Sequence, residues 1–310
     1  MDVLSEVLAV SGVRGSAGAR IAAAGEWGIE WVRDRDAVVY AVAAGIAWLT
    51  VEGDAPRLLT AGDVVVLATG AAHSLSSAPD IVIHSCDVAA AEEARRRGDL
   101  LRLGDGEAQT QVLGASYSHD PAGSTPVFTL LPPVVHFRAQ QLDTTLADVV
   151  RILGAELARP GLATHLVLDR LVDVLLVEVL RTWLASAPDA SASWWGVLRD
   201  PLLMRAVTRI HEDPGHPWTT EVLAREVATS KQTLMRRFRA FAGTTPGAYL
   251  TRWRMDLAAH RLRDSNDTLE QIAASVGYTS VYAFSRAFSR ERSLPPGRYR
   301  TESRASEQPA

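Results

Sequence analysis

Between residues 20 and 90 the apolar residues come in short runs broken by Gly, Pro and Asp. The runs are Val38–Val42, Ile46–Val51, Arg57–Leu59, Val64–Leu67 and Ile81–Ser85, with turns at Glu52-Gly53-Asp54 and Ala61-Gly62-Asp63. Short β-type runs bounded by turn formers predict strands, and their even spacing predicts a small antiparallel barrel or sandwich. The stretch from Glu92 to Asp120 combines a basic helix start at Arg95-Arg96-Arg97, a Gly-rich turn and a strand near Gln111–Tyr117. The period then changes. Leu142–Leu157 places apolar residues at 142, 146, 149, 150, 153 and 157, a helical stripe. Thr164–Leu184 is apolar around most of a helical circumference, so it must be covered on two sides. Either its own domain covers both, or one side is a dimer surface.

After residues 185–199, rich in small residues and holding the pair Trp194-Trp195, every segment reads as a short helix. This last part contains a repeat with an offset of 50. Ser230, Leu234, Arg236, Phe238, Pro246, Gly247 and Tyr249 match Ser280, Phe284, Arg286, Phe288, Pro296, Gly297 and Tyr299. Two helices and a turn are too little for a solenoid repeat; each copy parses as a helix-turn-helix. In the first, Thr219 caps a helix over 220–227, Ala228-Thr229 turns, and Ser230 caps a second helix over 231–241. In the second, Asp267 and Glu270 form a capping-box pattern ahead of 269–276, Gly277 turns, and Ser280 caps 281–290.

Each second helix is amphipathic. Leu234, Phe238 and Phe241, and in the other copy Phe284 and Phe288, form the faces that bury against the preceding helix. The opposite faces carry Gln232, Met235, Arg236 and Arg239 in one copy and Val281, Tyr282, Ser285 and Arg286 in the other. Arginine can bond guanine through O6 and N7 together, glutamine can do the same with adenine, and an apolar side chain can touch the thymine methyl. Lys231 opens its helix, where its charge opposes the helix dipole, so a phosphate is its better partner. Pro246 after Thr245 starts a connecting helix to about Arg263 with the core stripe Tyr249, Leu250, Trp253, Leu257 and Leu262. Such a connector can set the two recognition helices about one DNA turn, roughly 34 Å, apart.

Charge agrees with this reading. Residues 200–304 hold 17 basic against 11 acidic side chains, whereas residues 1–199 hold 15 against 24. A basic part joined to an acidic part is expected where one domain meets a polyanion and the other does not. Of 32 basic residues only Lys231 is lysine, a bias that reads as codon pressure. The single cysteine, Cys86, leaves no internal disulfide framework. The N-terminus carries acids where a signal peptide would carry Lys or Arg, and no apolar run is long enough to span a bilayer. These features point to the cytoplasm.

The segment TLEQIAASVGYTSVYAFSRAFSRERSLPPGRYR resembles the C-terminal signature of the AraC-type regulators, and the preceding copy fits their first motif. Caps, turn glycine, aromatic core and the closing Pro-Pro-Gly-x-Tyr-Arg all fall in register. The resemblance implies base contact at Gln232, Met235, Arg236, Tyr282, Ser285 and Arg286, and a homodimer on two adjacent sites of double-stranded DNA. It also admits RNA polymerase as a partner.

Residues 62–73, GDVVVLATGAAH, resemble the second cupin motif, with Gly62, Gly70 and His73 in place and Ala68 where the motif has proline. The metal ligands of the first cupin motif are replaced around Val38, Tyr40 and Ala44-Gly45. One histidine falls short of the three protein ligands that catalytic metal sites use, so neither metal, cofactor nor enzymatic activity is expected. The expected architecture is α+β and multidomain. A cupin-like β-barrel with a helical dimerisation segment (1–185) leads through a linker (186–199) to an all-α domain of two tandem helix-turn-helix motifs (200–304). The expected function is a sequence-specific transcription regulator answering a small molecule, with Tyr40, Trp48, His73 and His84 as inward-facing ligand contacts. A cupin enzyme fused to a DNA-binding module, and an architectural DNA binder with an inert barrel, are the alternatives.

Overall fold

The computed structural model describes residues 2–32, 36–81, 84–85, 100–118, 128, 131–186 and 194–305. Cys86, the arginine-led helix start at 95–97 and residues 187–193 of the linker lie outside them. The described chain falls into two compact units, one of residues 14–118 and 131–186, the other of residues 2–13, 128 and 194–305.

Two sheets make up the first unit. Its strands are β1 (Arg14–Ala23), β2 (Gly28–Trp31), β3 (Ala37–Ala44), β4 (Ile46–Val51), β5 (Arg57–Thr60), β6 (Val64–Leu67), β7 (His73–Ser76), β8 (His84–Ser85), β9 (Leu100–Leu103), β10 (Thr110–Ser118) and β11 (Val134–Phe137). One sheet runs β11-β6-β3-β10-β1-β9 and the other β5-β4-β7-β2-β8. The β1–β9 and β2–β8 pairs are parallel, the other described pairs antiparallel. Ile21, Tyr40, Val42, Val65, Leu67 and Val112 of the first sheet meet Ile29, Leu49, Val51, Leu59 and Leu75 of the second in one core. The described strands thus form facing sheets.

Two helices complete this unit, α2 (Thr144–Ala158) and α3 (Thr164–Ser186). Asp143 caps α2, accepting a hydrogen bond from Leu146 N at 2.8 Å. Helix α3 buries Leu168, Val172, Leu175, Leu176, Val179, Leu180 and Trp183, and packs on α2 and β1. The buried Tyr117 hydroxyl donates to Val172 O at 2.7 Å, and Ala17 N donates to Asp169 at 3.0 Å. The other side of the helix stays open in the single chain: Leu166, Val167 and Val174 are exposed, as is Leu162 just before it.

The second unit begins with α1 (Val3–Ser11), capped by Asp2, whose carboxylate accepts from Leu4 N at 3.0 Å. This segment, which the sequence reading put with the N-terminal domain, packs instead on helices some two hundred residues later. The further helices of this unit are α4 (Trp194–Arg199), α5 (Pro201–Glu212), α6 (Thr220–Glu226), α7 (Lys231–Ala242), α8 (Pro246–Asp264), α9 (Leu269–Ser275), α10 (Val281–Arg292) and α11 (Pro296–Ala305). Val3 and Val7 of α1 are fully buried, and the helix contacts α5 and α8. There the buried His211 ring stacks on Trp253 at 3.7 Å between centroids. Burial holds its pKa down at about 3, so the imidazole is neutral: Nδ1–H donates to Glu6 at 2.9 Å and Nε2 accepts from the Tyr249 hydroxyl at 2.8 Å.

Most predicted caps hold. Thr219, Ser230, Thr245 and Ser280 cap α6, α7, α8 and α10. The capping box of α9 is one residue later than expected, formed by Thr268 and Gln271 rather than Asp267 and Glu270. Between α6 and α7 the turn residue Ala228 takes a φ of +54°, and between α9 and α10 Gly277 takes +81°. The two turns differ in their surroundings. A Cβ on Gly277 would sit 2.7 Å from both the Arg254 guanidinium and the Gly215 carbonyl oxygen.

Two predictions follow from these local facts. A left-handed backbone costs an L-residue about 1–2 kcal/mol; at Gly277 the steric clash adds to that. Gly277→Ala should therefore lower unfolding free energy by about 2 kcal/mol or more, whereas Ala228→Gly should move it by less than about 1 kcal/mol, both read by urea titration. The second concerns pH. An unfolded histidine takes up its proton as pH falls through about 6.5, but folded His211 does so only near 3. Lowering pH through that window therefore favours the unfolded chain. The melting temperature should fall between pH 7 and pH 5, and His211→Gln should flatten that slope in differential scanning calorimetry.

Candidate nucleic-acid interface

Helices α7 and α10 are built alike. Ser230 Oγ accepts from Thr233 N at 3.1 Å and Ser280 Oγ from Ala283 N at 3.4 Å, so each helix starts at a defined rotation. Leu234 and Phe238 of α7, and Phe284 and Phe288 of α10, are fully buried. That burial turns the polar side of each helix to solvent.

On α7 the structure brings together Lys231, Gln232, Met235, Arg236 and Arg239, which line one open depression of about 590 Å3. Gln232, Arg236 and Arg239 are exposed and Met235 is half-buried. Arg236 and Arg239 have no ion-pair partner among the described residues. Their neighbour Arg237 behaves differently: it bonds Asp200, the N-cap of α5, at 2.6 Å and so serves the scaffold. Lys231 bonds Glu221 of α6, an interaction that holds the Glu221 carboxyl below the usual carboxylate range. Ten residues of sequence separate the two, so the pairing appears only in the fold.

On α10, Tyr282 is 72% exposed and the Arg286 guanidinium lies over its ring, 5.7 Å from the centroid. Val281 and Ser285 are half-buried on the same side. The two faces share an arginine at the same helical position and differ in the residue one turn earlier, Gln232 against Tyr282. An exposed guanidinium offers the paired donors that match a guanine edge, and glutamine matches adenine.

The other sequence-predicted cluster lies in the sheet unit. Tyr40 and His73 are buried on opposite sheets and joined, with 2.7 Å between the Tyr40 hydroxyl and Nε2. His73 Nδ1 lies 2.7 Å from Ala71 O, and burial pushes the imidazole pKa down. The ring is then neutral, donating to Ala71 and accepting from Tyr40. Trp31, which sequence reading missed, stacks on His73 at 5.2 Å. Its position directly opposite His73 in the β2–β7 pair was the structural link that sequence alone did not show. Trp48 does not join them. It alternates with the buried Ala47, Leu49 and Val51 along β4 and so lies on the opposite face from the core, contrary to the inward orientation expected. His84 opens β8 beside Ile29 of β2; its side chain is outside the described structure.

The profile of the Cupin family matches residues 2–185, and that of the Helix-turn-helix domain family matches residues 223–302. A putative AraC-like transcription regulator of Streptomyces lividans is 36% identical over 305 residues, covering 97% of this chain and 98% of that one. The HTH-type transcriptional regulator AlkR of Acinetobacter baylyi is 28% identical over 98% of this chain and 100% of its own. Among solved structures, the DNA-binding domain of AdpA in complex with a target DNA is 30% identical, with a TM-score of 0.33, over 34% of this chain and 96% of that chain. With the two profiles covering both units and relatives matching nearly end to end, this chain belongs to the AraC-like transcription regulators and is a DNA-binding regulator of transcription.

Proposed function

We propose that α7 and α10 enter successive major grooves and read two short blocks about 10 bp apart. Gln232, Met235 and Arg236 read one block, Val281, Tyr282, Ser285 and Arg286 the other, while Lys231 and Arg239 hold phosphates. The observation that carries this is the repeated placement of Arg236 and Arg286, both exposed, on the outer faces of equally capped helices. Helix α8, at 19 residues, is about 28 Å long and supplies the separation.

The sheet unit is the sensor in this reading. A small molecule is recognised at the Tyr40–His73 pair with Trp31 as an aromatic wall and His84 on the strand beside it. A pocket of apolar walls with a few polar anchors is the usual form of such a site. Both nitrogens of His73 are held by Ala71 and Tyr40, which fixes the ring in place as a polar anchor of the site. Two copies associate through the open side of α3. Its apolar residues Leu166, Val167 and Val174 flank an Arg170–Asp173 pair, 3.6 Å apart, and this mixed-charge stripe is self-complementary about a two-fold axis. The regulator works in the cytoplasm, on promoter DNA, with RNA polymerase as its further partner.

Selection of bound sequences from random duplexes by the full-length protein tests the reading directly. It should return two blocks about 10 bp apart; salt-sensitive binding with no consensus would overturn it. On the selected site, Arg236→Ala and Arg286→Ala should each cost about 1–3 kcal/mol and relax base preference at one position. Lys231→Ala should weaken all sequences alike and reduce the salt slope by about one unit. For the dimer, Leu166→Glu with Val174→Glu should halve the mass seen by light scattering at micromolar concentration.

A further inference from the structure

The repeat extends to a pair of arginines outside both recognition helices. Arg254, on α8, donates through Nε to Pro214 O at 2.7 Å and through Nη2 to His216 O at 2.9 Å. Fifty residues on, Arg304 of α11 donates to Arg263 O at 3.2 Å and bonds Ser265 O. In each module the closing helix thus sends one arginine back to the carbonyls of the loop that precedes its own first helix. Only Arg254 has a second module beyond it. Its guanidinium also lies 6.0 Å from the ring centroid of Tyr278, in the turn between α9 and α10.

Around this arginine the two modules meet backbone to backbone. A Cβ on Gly277 would approach Gly215 O to 2.7 Å, and a Cβ on Gly215 would come within 3.6 Å of Ser275 O. Glycine at 277 lets the loop before the first motif touch the turn inside the second, whereas a Cβ at 215 would make only ordinary contact. Arg254 closes the seam: it holds the loop by hydrogen bonds and the turn by its cation over an aromatic face. Since α10 starts three residues after Tyr278, whatever fixes that turn fixes where α10 points relative to α7.

We propose that Arg254 is a positioning residue that sets the spacing of the two DNA blocks this protein accepts. It touches no base; it acts through the angle between the recognition helices. The inference rests on the two-block reading above, and the test separates the two.

The full-length protein is titrated against its selected site and against the same blocks with one or two base pairs inserted between them, with thermal melting run in parallel. Wild type should lose about tenfold or more on the altered spacings. Arg254→Met should bind the original site more weakly but discriminate between spacings by no more than about threefold. Tyr278→Leu, which leaves the carbonyl bonds of Arg254 in place, should give an intermediate ratio and answers the case in which Arg254→Met fails to fold. Arg304→Met removes the equivalent bonds with no second module to hold, so it should lower the melting temperature and leave the spacing ratio at the wild-type value. The proposal is overturned if Arg254→Met and Tyr278→Leu keep the wild-type ratio, or if Arg304→Met shrinks it as much as they do. A protein with no block preference at all would instead remove the two-block reading itself.

Discussion

One helix has to serve two cores. Tyr249 at the start of α8 packs edge-on against Phe238 of the first recognition helix, 5.9 Å between centroids, and Trp253 stacks on His211. Met255, Ala258, Ala259 and Leu262 then enter the core of the second motif with Ile272, Phe284 and Phe288. Because the period of a helix is fixed, the side chains that face one motif set those that face the other. No loop intervenes to absorb an error in angle. The angle between α7 and α10 is therefore written largely into a single rod, and the capping residues, turns and arginines around it serve to keep that rod in register with its neighbours.

The two cores meet the problem of buried polarity in different ways. In the first, a neutral His211 lies between Glu6 and Tyr249, and every imidazole nitrogen has a partner. In the second, Asp256 of α8 pairs with Arg292 of α10, both almost wholly buried. The corresponding residue of the first motif is Ala242, so the ion pair belongs to one copy only. A buried pair of this kind adds little net stability over apolar packing, yet losing one partner strands a charge and costs about 3–5 kcal/mol. What it supplies is a directional constraint: it ties the C-terminal end of α10 to the rod at one rotation.

The helical part was far more legible in the sequence than the sheet part, and the reasons are physical. A helix-turn-helix announces itself through local rules: a Ser or Thr cap, a small turn residue, apolar residues three and four apart. All of these lie within about a dozen residues, so Ser230, Ser280, Pro246 and Gly277 could be placed before any long-range contact was known. The strands depend on distant partners. Val64–Leu67 reads as a strand because it is apolar throughout, but seven of the ten residues of Arg14–Ala23 are Gly, Ala or Ser, and it becomes a strand only by lying between β10 and β9. Helix α1 was missed for the same reason, since its partners are remote. At the interface the residues facing outward were legible from the heptad-like pattern; their electrostatic company was not. Glu221 beside Lys231, Tyr278 beside Arg254 and Trp31 beside His73 are all contacts between separate elements.

The placement of α1 has a consequence for how the chain is made. It is made well before its partners: Glu6 waits for His211, and Val10, whose carbonyl accepts from Arg263, waits for a residue 253 positions later. At about 5–20 residues per second that interval is roughly 10 to 50 seconds. Throughout it, a short helix with Val3, Val7 and Val10 on its apolar side has no docking site of its own. Nine residues hold little helical structure alone in water, so the segment stays a fluctuating strand of chain while the sheets behind it fold. The helical unit thus cannot close until α8 has been made, long after the segment that completes it.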